Sequence, residues 1–319
     1  MRWIVALVAG PWLGGFAARA EPVRQDISGL AQAEIVALQR RLTDAGCYKG
    51  ALDGAANAAT KAAVLACPDQ RPRLVIETGM HVAKIGRISV DRACTLAATA
   101  SDDKTLRLWS LPDGRLLRTI RPPIGDGYNG KLYAAALTPD GRYVAAGGSD
   151  ARDEVNGEMS ASVFDALNGS LLARLGPFTS VINHLAFSPD GHWLVGHIAD
   201  QGIVIFDTSA TDPGAWTEAA RDLSYKGDTY GSSWSRDGRL ASVSDDGKLR
   251  LYGPAPGFRK IKEIVTLGGK QPYSVAFDPA QERLAVGYVD TTAVDIFDAR
   301  DLRRIAAADT RHGFQVNGI

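Results

Sequence analysis

Histidines are the first side chains of this sequence that could hold a metal ion. His184, His192 and His197 fall within one short segment. Side chains alternate between the two faces of a strand, so His192 and His197 are predicted to point in different directions. A metal site needs ligands on one face with fixed partners behind them. The segment therefore predicts no metal centre.

A group of carboxylates is the second candidate for metal binding. Its members lie in one loop, and they are Asp150, Asp153, Glu154 and Glu158. Their spacing matches no recognised calcium-binding loop. We interpret them as a solvated acidic loop, and we predict neither a metal nor a cofactor.

Nucleophilic chemistry has little support in the sequence. It contains no Gly-x-Ser-x-Gly motif, phosphate loop or dinucleotide-binding motif. His312-Gly313 resembles the His-Gly pair of caspase-like peptidases, but no cysteine follows it. We predict that the chain is not an enzyme. The alternative is a regulatory or substrate-binding part of an envelope hydrolase, a caspase-like peptidase, whose catalytic domain lies outside this chain.

Charge and composition restrict the class of partner. Lys plus Arg and Asp plus Glu each total 36, and the formal net charge is zero. Nucleic-acid binding needs a basic surface, so nucleic acid is excluded as a partner. With 45% hydrophobic and 23% charged residues, the chain has ordinary globular composition, and its length suggests about two domains.

The first residues predict export. Arg2 is followed by an uncharged run, Trp3 to Ala18, and by the small-x-small pattern Ala18-Arg19-Ala20. This is typical of a signal peptide covering residues 1–20. The run is too short for a membrane anchor. We expect a periplasmic protein, with secretion as the alternative, and no membrane span after cleavage.

An oxidising compartment would let cysteines pair. Cys47 and Cys67 are the natural pair, because they close a loop whose cross-linking is worth about 3 kcal/mol. Cys94 is left over. It is expected to be a small buried or half-buried side chain between two strands.

Residues 21–70 are predicted to form a small helical module. Apolar spacing predicts a helix over 33–45, and a second helix is expected over 58–66 with Asn57 as its N-cap. Cys67 then lies opposite Cys47 and staples the module.

The same residues carry a family resemblance. Leu38-Gln39, Gly46, Tyr48, Leu52-Asp53-Gly54 and Thr60 resemble the signature of the peptidoglycan-binding-like helical domain. The resemblance implies docking on cell-wall glycan. Tyr48 and Asp53, in the turn after the first helix, are the candidate glycan contacts. The alternative is a spacer that keeps the fold without the ligand.

Internal repeats dominate residues 71–319. Apolar strands ending in a polar corner, such as Thr138-Pro139-Asp140-Gly141 and Ser188-Pro189-Asp190-Gly191, recur every 43 to 50 residues, five times in all. A second strand in each repeat ends in an aromatic residue; these residues are Trp109, Phe164, Phe206, Tyr252 and Phe297. The pattern resembles the WD40 repeat. That family implies a mainly β fold, a β-propeller of four-stranded blades.

In that family, one His, one Ser or Thr, one Asp and the Trp of a blade form a hydrogen-bonded set. Only the first repeat has the residues for it: His81, Thr99 or Ser101, Asp103 and Trp109. At the position of the His, later repeats have Tyr128, Phe178, Tyr225 and Gly268. We therefore expect the other blades to rely on aromatic and aliphatic packing. We assign structural roles to His81, Ser101, Asp103, Trp109, Phe164, Phe206, Asp246, Tyr252 and Phe297.

The sequence thus predicts an exported scaffold or adaptor that binds a partner protein through loops on one propeller face. The aromatic and cationic residues expected there are Tyr128, Lys131, Phe178, Tyr225, Lys226, Tyr230, Lys270 and Tyr273. The ring is expected to be incomplete. Residues 73–77 would form its outer closing strand, and 316–319 resemble the start of a sixth repeat.

Overall fold

The structure is a computed structural model. It describes residues 27–44, 46–66, 79–122, 125–149 and 158–308. The chain divides into two compact units, one within residues 1–77 and one within residues 78–319. Neither described helix has the length and apolar character needed to cross a bilayer.

The first unit contains two helices, α1 (Gln32–Asp44) and α2 (Ala58–Ala66). Leu42 of α1 packs with Tyr48 and Ala63 in a small core. The side chain of Asn57 accepts a hydrogen bond of 2.9 Å from the Thr60 amide, so the predicted N-cap of α2 is present. Both helices agree with the sequence to within a residue.

The cysteine predictions have different outcomes. Cys67 lies outside the described residues, so its pairing with Cys47 stays a prediction. Cys94 was expected to be at least half-buried, and this was wrong, because it is exposed and free. It occupies the turn after a strand, with a φ of 53°, and such connecting segments run over the protein surface.

Twenty strands make up the described part of the second unit. The first ten are β1 (Ile85–Val90), β2 (Leu96–Ser101), β3 (Leu106–Ser110), β4 (Leu116–Ile120), β5 (Lys131–Leu137), β6 (Tyr143–Ser149), β7 (Met159–Asp165), β8 (Leu171–Phe178), β9 (Ile182–Phe187) and β10 (Trp193–Ile198). The others are β11 (Gly202–Asp207), β12 (Thr217–Asp222), β13 (Thr229–Trp234), β14 (Leu240–Ser244), β15 (Lys248–Tyr252), β16 (Lys260–Val265), β17 (Pro272–Phe277), β18 (Arg283–Tyr288), β19 (Val294–Asp298) and β20 (Arg304–Ala307). A 3-10 turn, Pro213–Ala215, precedes β12.

These strands form five antiparallel sheets of four consecutive strands each, joined in chain order. The prediction of five β repeats is confirmed. Short polar turns connect the strands, and the Asp side chains in them cap the turn backbone. Asp140, for example, accepts a hydrogen bond of 3.0 Å from the Arg142 amide.

Neighbouring sheets pack through their first strands, which run in the same direction. Gly86, in β1, lies beside Tyr133 in β5, where an added Cβ would come within 3.0 Å of the Tyr133 carbonyl oxygen. Further along, Ser89 accepts a hydrogen bond of 3.0 Å from the Leu137 amide. The first strands therefore begin at one common end, which we call the upper end, and finish at the lower end.

Four hydrophobic cores fill the spaces between the five sheets, one for each consecutive pair. Within the described residues, no core joins the fifth sheet to the first. Ile88 of β1 is 65% exposed as a result. Residues 73–77 and 316–319 are not among the described residues, so the manner in which the ring closes stays a prediction.

Candidate partner-binding end of the repeat unit

A β-bulge near the start of each first strand builds the upper end. The strand pairing skips one residue in every sheet, and the skipped residues are Gly86, Tyr133, Asn183, Tyr230 and Tyr273. A bulge leaves its residue out of the ladder and re-aims its side chain. Three tyrosines thus occupy the same position in three repeats.

Two of these tyrosines contact each other. The Tyr230 and Tyr273 ring centroids are 4.9 Å apart. Arg87, the residue after the first bulge, places its guanidinium carbon 5.0 Å from the centre of the Tyr273 ring. It also donates a hydrogen bond of 2.8 Å to the Tyr230 carbonyl oxygen. The first, fourth and fifth sheets therefore meet at one aromatic and cationic cluster.

Tyr128 and Lys131 extend this end along β5. Tyr128 is 70% exposed, and the Lys131 ammonium lies 4.5 Å from the centre of its ring. Lys131 also lies 3.3 Å from a carboxylate oxygen of Asp102. Burial, and then the charge of Asp102, raise the pKa of Tyr133. Exposed aromatic area with charged groups at its rim is typical of protein interfaces.

Carboxylates balance the cations at the upper end. Asp228 accepts a hydrogen bond of 2.9 Å from the Tyr230 hydroxyl. Burial, followed by the charges of Asp228, Asp246 and Asp290, raises the pKa of Asp245. Charges of both signs so close together favour a partner with a polar, mixed-charge surface.

Two residues predicted for the partner-binding face are not on it. Phe178 is 5% exposed and packs at 6.2 Å from the Phe206 ring, within the core between the second and third sheets. Tyr225 is 6% exposed and belongs to the core between the third and fourth sheets. The predictions for Phe178 and Tyr225 were wrong, because a neighbouring sheet covers each ring. Lys226 and Lys270, in contrast, are exposed.

The first sheet contains the hydrogen-bonded set expected from the WD40 resemblance. The ring nitrogens of His81 lie 2.9 Å from Asp103 and 2.7 Å from the Thr99 hydroxyl. Trp109 donates a hydrogen bond of 2.8 Å to the same hydroxyl. Ser101 instead accepts a hydrogen bond from the Asp103 amide at 3.1 Å. Thr99, not Ser101, is therefore the hydroxyl member.

The aromatic residues that end the third strands of the later sheets lie in the inter-sheet cores. Each packs against the preceding sheet, and these residues are Phe164, Phe206, Tyr252 and Phe297. Trp109 holds the same position in the first sheet, where it is half-buried.

Hydrogen bonding in the fourth sheet was not anticipated from the sequence. The Tyr252 hydroxyl donates a bond of 2.8 Å to Asp222 and lies 2.8 Å from the Tyr225 hydroxyl. The Arg250 guanidinium carbon lies 3.9 Å from the centre of the Tyr225 ring, and Arg250 also pairs with Asp246. Tyrosines thus replace the His and Trp of the first sheet. The sequence signal for this set was the position of Tyr225 and Tyr252, which match His81 and Trp109 in the repeat.

Two of the three candidate histidines contact each other, and the third lies apart from them. His184 and His197 are cross-strand neighbours with ring centroids 5.3 Å apart, whereas the exposed His192 lies 3.5 Å from Asp190. Among the described residues, no group of three or more His, Cys, Asp or Glu side chains could hold a metal ion. Asp150, Asp153, Glu154 and His312 lie outside those residues, and Glu158 is exposed.

The two candidate glycan contacts of the helical unit differ in their exposure to solvent. Tyr48 was expected to be exposed, and this was wrong: it is 5% exposed, and its hydroxyl donates to the Ala51 carbonyl oxygen at 2.9 Å. Asp53 is exposed but accepts hydrogen bonds of 2.9 Å from Gln39 and from the Ala55 amide. Gln39 is fully buried, and its side chain holds the turn at Asp53 and Gly54 through hydrogen bonds.

Five four-stranded sheets packed through their first strands define a repeat protein of the propeller type. Comparison with known proteins agrees: residues 78–110 and 169–207 match the family model described as WD domain, G-beta repeat. These two segments are therefore similar to WD40 repeats.

The chain is also similar to several WD-repeat proteins. It is 28% identical over 174 residues to the small ribosomal subunit protein RACK1 of Caenorhabditis elegans, covering 52% of this chain and 48% of the relative. It is 25% identical over 215 residues to the pre-mRNA-processing factor 19 homolog 2 of Arabidopsis thaliana, covering 66% and 37%. The chain thus spans about half the length of the first of these relatives and less than half the length of the second.

Proposed function

We propose that this protein is an exported, non-enzymatic adaptor whose repeat unit binds a partner protein through its upper end. One observation carries the proposal. Bulges at one repeat position bring Tyr133, Tyr230 and Tyr273 to that end, beside Arg87 and the exposed Tyr128. Tyr and Arg are the residues most often enriched at the centres of protein interfaces.

The similarity to WD-repeat proteins supports a scaffold, since such proteins are typically non-enzymatic adaptors. Export to the periplasm rests on the signal-like residues 1–20. Docking of the helical module to peptidoglycan is a separate proposal that rests on the family resemblance. Asp53 is its exposed candidate contact, and a Cys47–Cys67 disulfide would hold the module together.

Partner binding is tested with the full chain immobilised and exposed to an envelope extract. A Tyr128→Ala/Tyr273→Ala variant is compared with a Leu167→Ala/Ile261→Ala variant. The control removes exposed apolar area away from the upper end, because Leu167 lies in the turn between β7 and β8, Ile261 lies at the start of β16, and they are 85% and 53% exposed. Quantitative mass spectrometry should show proteins retained by the wild type and the control but lost from the tyrosine variant. An unchanged set of retained proteins would contradict the proposal.

Glycan docking has its own measurement, sedimentation with insoluble peptidoglycan. Asp53→Ala should lower the sedimented fraction, whereas Asp44→Ala, which removes an exposed carboxylate from α1, should not. If the wild type stays in the supernatant, the helical module is a spacer.

A further inference from the structure

A second concave site lies at the lower end of the first strands, away from the tyrosine cluster. It is a cavity of about 390 Å³, lined by residues from β1, β5, β9 and β13 and by the turns that follow the first three of these strands. This volume falls within the range of small-ligand sites in proteins.

The cavity wall is largely apolar and aromatic. Ile88, Val90, Leu137, Phe187 and Trp234 all line it. Ile88 and Val90 remain 65% and 45% exposed, so this apolar surface is open to a ligand. The Trp234 ring is held in place by its hydrogen bond of 3.1 Å to the Ala186 carbonyl oxygen. Such a wall suits a flat ring.

Polar side chains also line the cavity, and those of His184 and Ser232 lack a hydrogen-bonding partner among the described residues. Both ring nitrogens of His184 and the hydroxyl of Ser232 are buried and make no hydrogen bond within the described part of the chain. The Ser232 main chain lies close to the His184 ring but outside hydrogen-bond geometry. Buried polar groups in native proteins almost always have a partner, so these atoms favour a ligand with a hydrogen-bonding group.

The electrostatics favour a neutral group over a cation. Burial, then His197 and then Arg87, hold the pKa of His184 well below its ordinary value. Burial, and then Arg87, lower the pKa of His197 to about 3. Both imidazoles are therefore neutral near pH 7. A neutral imidazole offers one donor and one acceptor, which a hydroxyl group can match.

We infer that this lower cavity binds an aromatic ring carrying a hydroxyl group, a phenol, with the ring against Trp234 and the hydroxyl bonded to His184 or Ser232. The phenol would come from a free aromatic compound or from a tyrosine side chain of a bound peptide. This site is independent of the partner-binding upper end.

The test titrates the full chain with 4-fluorophenol and with fluorobenzene, followed by broadening of the fluorine NMR signal. We expect a dissociation constant of about 1 mM for 4-fluorophenol, the range that so small a ligand can reach. Fluorobenzene should bind roughly tenfold more weakly, because it cannot satisfy His184 and Ser232. Equal affinity for the two ligands, or no binding of either by the folded protein, would overturn the inference.

Variants locate the site. Ile88→Trp should fill the cavity and abolish binding, whereas Leu267→Trp, in the exposed segment between β16 and β17 at the opposite end of the first strands, should not. His184→Phe should reduce the affinity for 4-fluorophenol to that for fluorobenzene. Ser232→Ala provides the same comparison if the His184 variant does not fold. Identical binding by Ile88→Trp and Leu267→Trp would refute the location.

The source of the phenol is distinguished by competition with two further compounds. Displacement by N-acetyl-tyrosinamide at lower concentration than by 4-methylphenol would identify a peptide tyrosine. The reverse order would identify a free phenolic compound.

Discussion

The Tyr225 hydroxyl lies 2.8 Å from the Tyr252 hydroxyl inside the fourth sheet of the repeat unit, and Tyr252 in turn donates to Asp222 of the third. Two adjacent sheets are thereby linked through one buried phenol. Burial, followed by Tyr225 and Asp222, raises the pKa of Tyr252, so the hydroxyl keeps its proton and its donor role.

Removing that hydroxyl should destabilise the repeat unit. Tyr252→Phe removes one hydrogen-bond donor from Asp222 and one hydrogen-bonding partner from the Tyr225 hydroxyl. We expect a loss of about 1–3 kcal/mol in the free energy of unfolding. Urea denaturation measures it. Tyr128→Phe, at an exposed position, is the control and should change stability by less than about 0.5 kcal/mol. Equal effects of the two variants would contradict a structural role for the Tyr252 hydroxyl.

Glu263 should make stability depend on pH in the acidic range. The hydrogen bond from Lys248 is the largest cause that lowers the pKa of Glu263, from 4.5 to about 2. Burial opposes this shift, whereas Lys260 and Arg250 add to it. A depressed carboxyl pKa contributes stability that is present above about pH 4.5 and lost as the pH falls towards 2.

Glu263→Gln tests this by urea denaturation at several pH values. Between pH 4.5 and 2, the slope of the unfolding free energy against pH should fall by up to about 1 kcal/mol per pH unit relative to wild type. Glu282→Gln, in an exposed turn, is the matched control. A wild-type slope in the Glu263 variant would show that the ion pairs do not act as described.

Phe178 should behave as a core residue and not as an interface anchor. Phe178→Ala removes a ring that packs on Phe206, and we expect a loss of about 3–5 kcal/mol in unfolding free energy. Tyr128→Ala, at the upper end, should lose less than about 0.5 kcal/mol. Thermal and urea unfolding of the two variants distinguish the positions. A stable Phe178→Ala protein would restore Phe178 as a surface candidate.

Cys47 and Cys67 are expected to form a disulfide in protein purified from an oxidising compartment. Non-reducing mass spectrometry should find the two peptides linked and Cys94 free. Cys47→Ser should lower the stability of the helical module by about 3 kcal/mol. Two alkylatable thiols at 47 and 67 in the wild type would refute the pairing.

Repeat number and strand positions were predictable because they depend on local patterns. Trp109, Phe164 and Phe297 each end a short alternating strand, and that pattern needs no knowledge of neighbours. The set around His81 was predictable for the same reason, apart from the choice of Thr99 over Ser101.

Exposure and bulges depend on contacts between distant residues, and the sequence did not reveal them. Phe178 and Tyr225 precede first strands, as Tyr128 does, yet an adjacent sheet covers only the first two. The bulges at Tyr133, Tyr230 and Tyr273 are set by strand register, so their shared position is visible only once the pairing is known. Tyr48 was misassigned because Gln39 and Ala51 hold it inward.

The four cores between five sheets give the repeat unit a graded resistance to local opening. Each of Phe164, Phe206, Tyr252 and Phe297 couples its sheet to the one before it, whereas no described sheet precedes Trp109. Apart from the contacts of Arg87 with the fourth and fifth sheets, the cores form a nearest-neighbour array, in which an inner sheet opens only if two interfaces break. Amide hydrogens of the third sheet should therefore exchange with solvent most slowly, and those of the first sheet should depend on the His81–Thr99–Trp109 hydrogen bonds for protection.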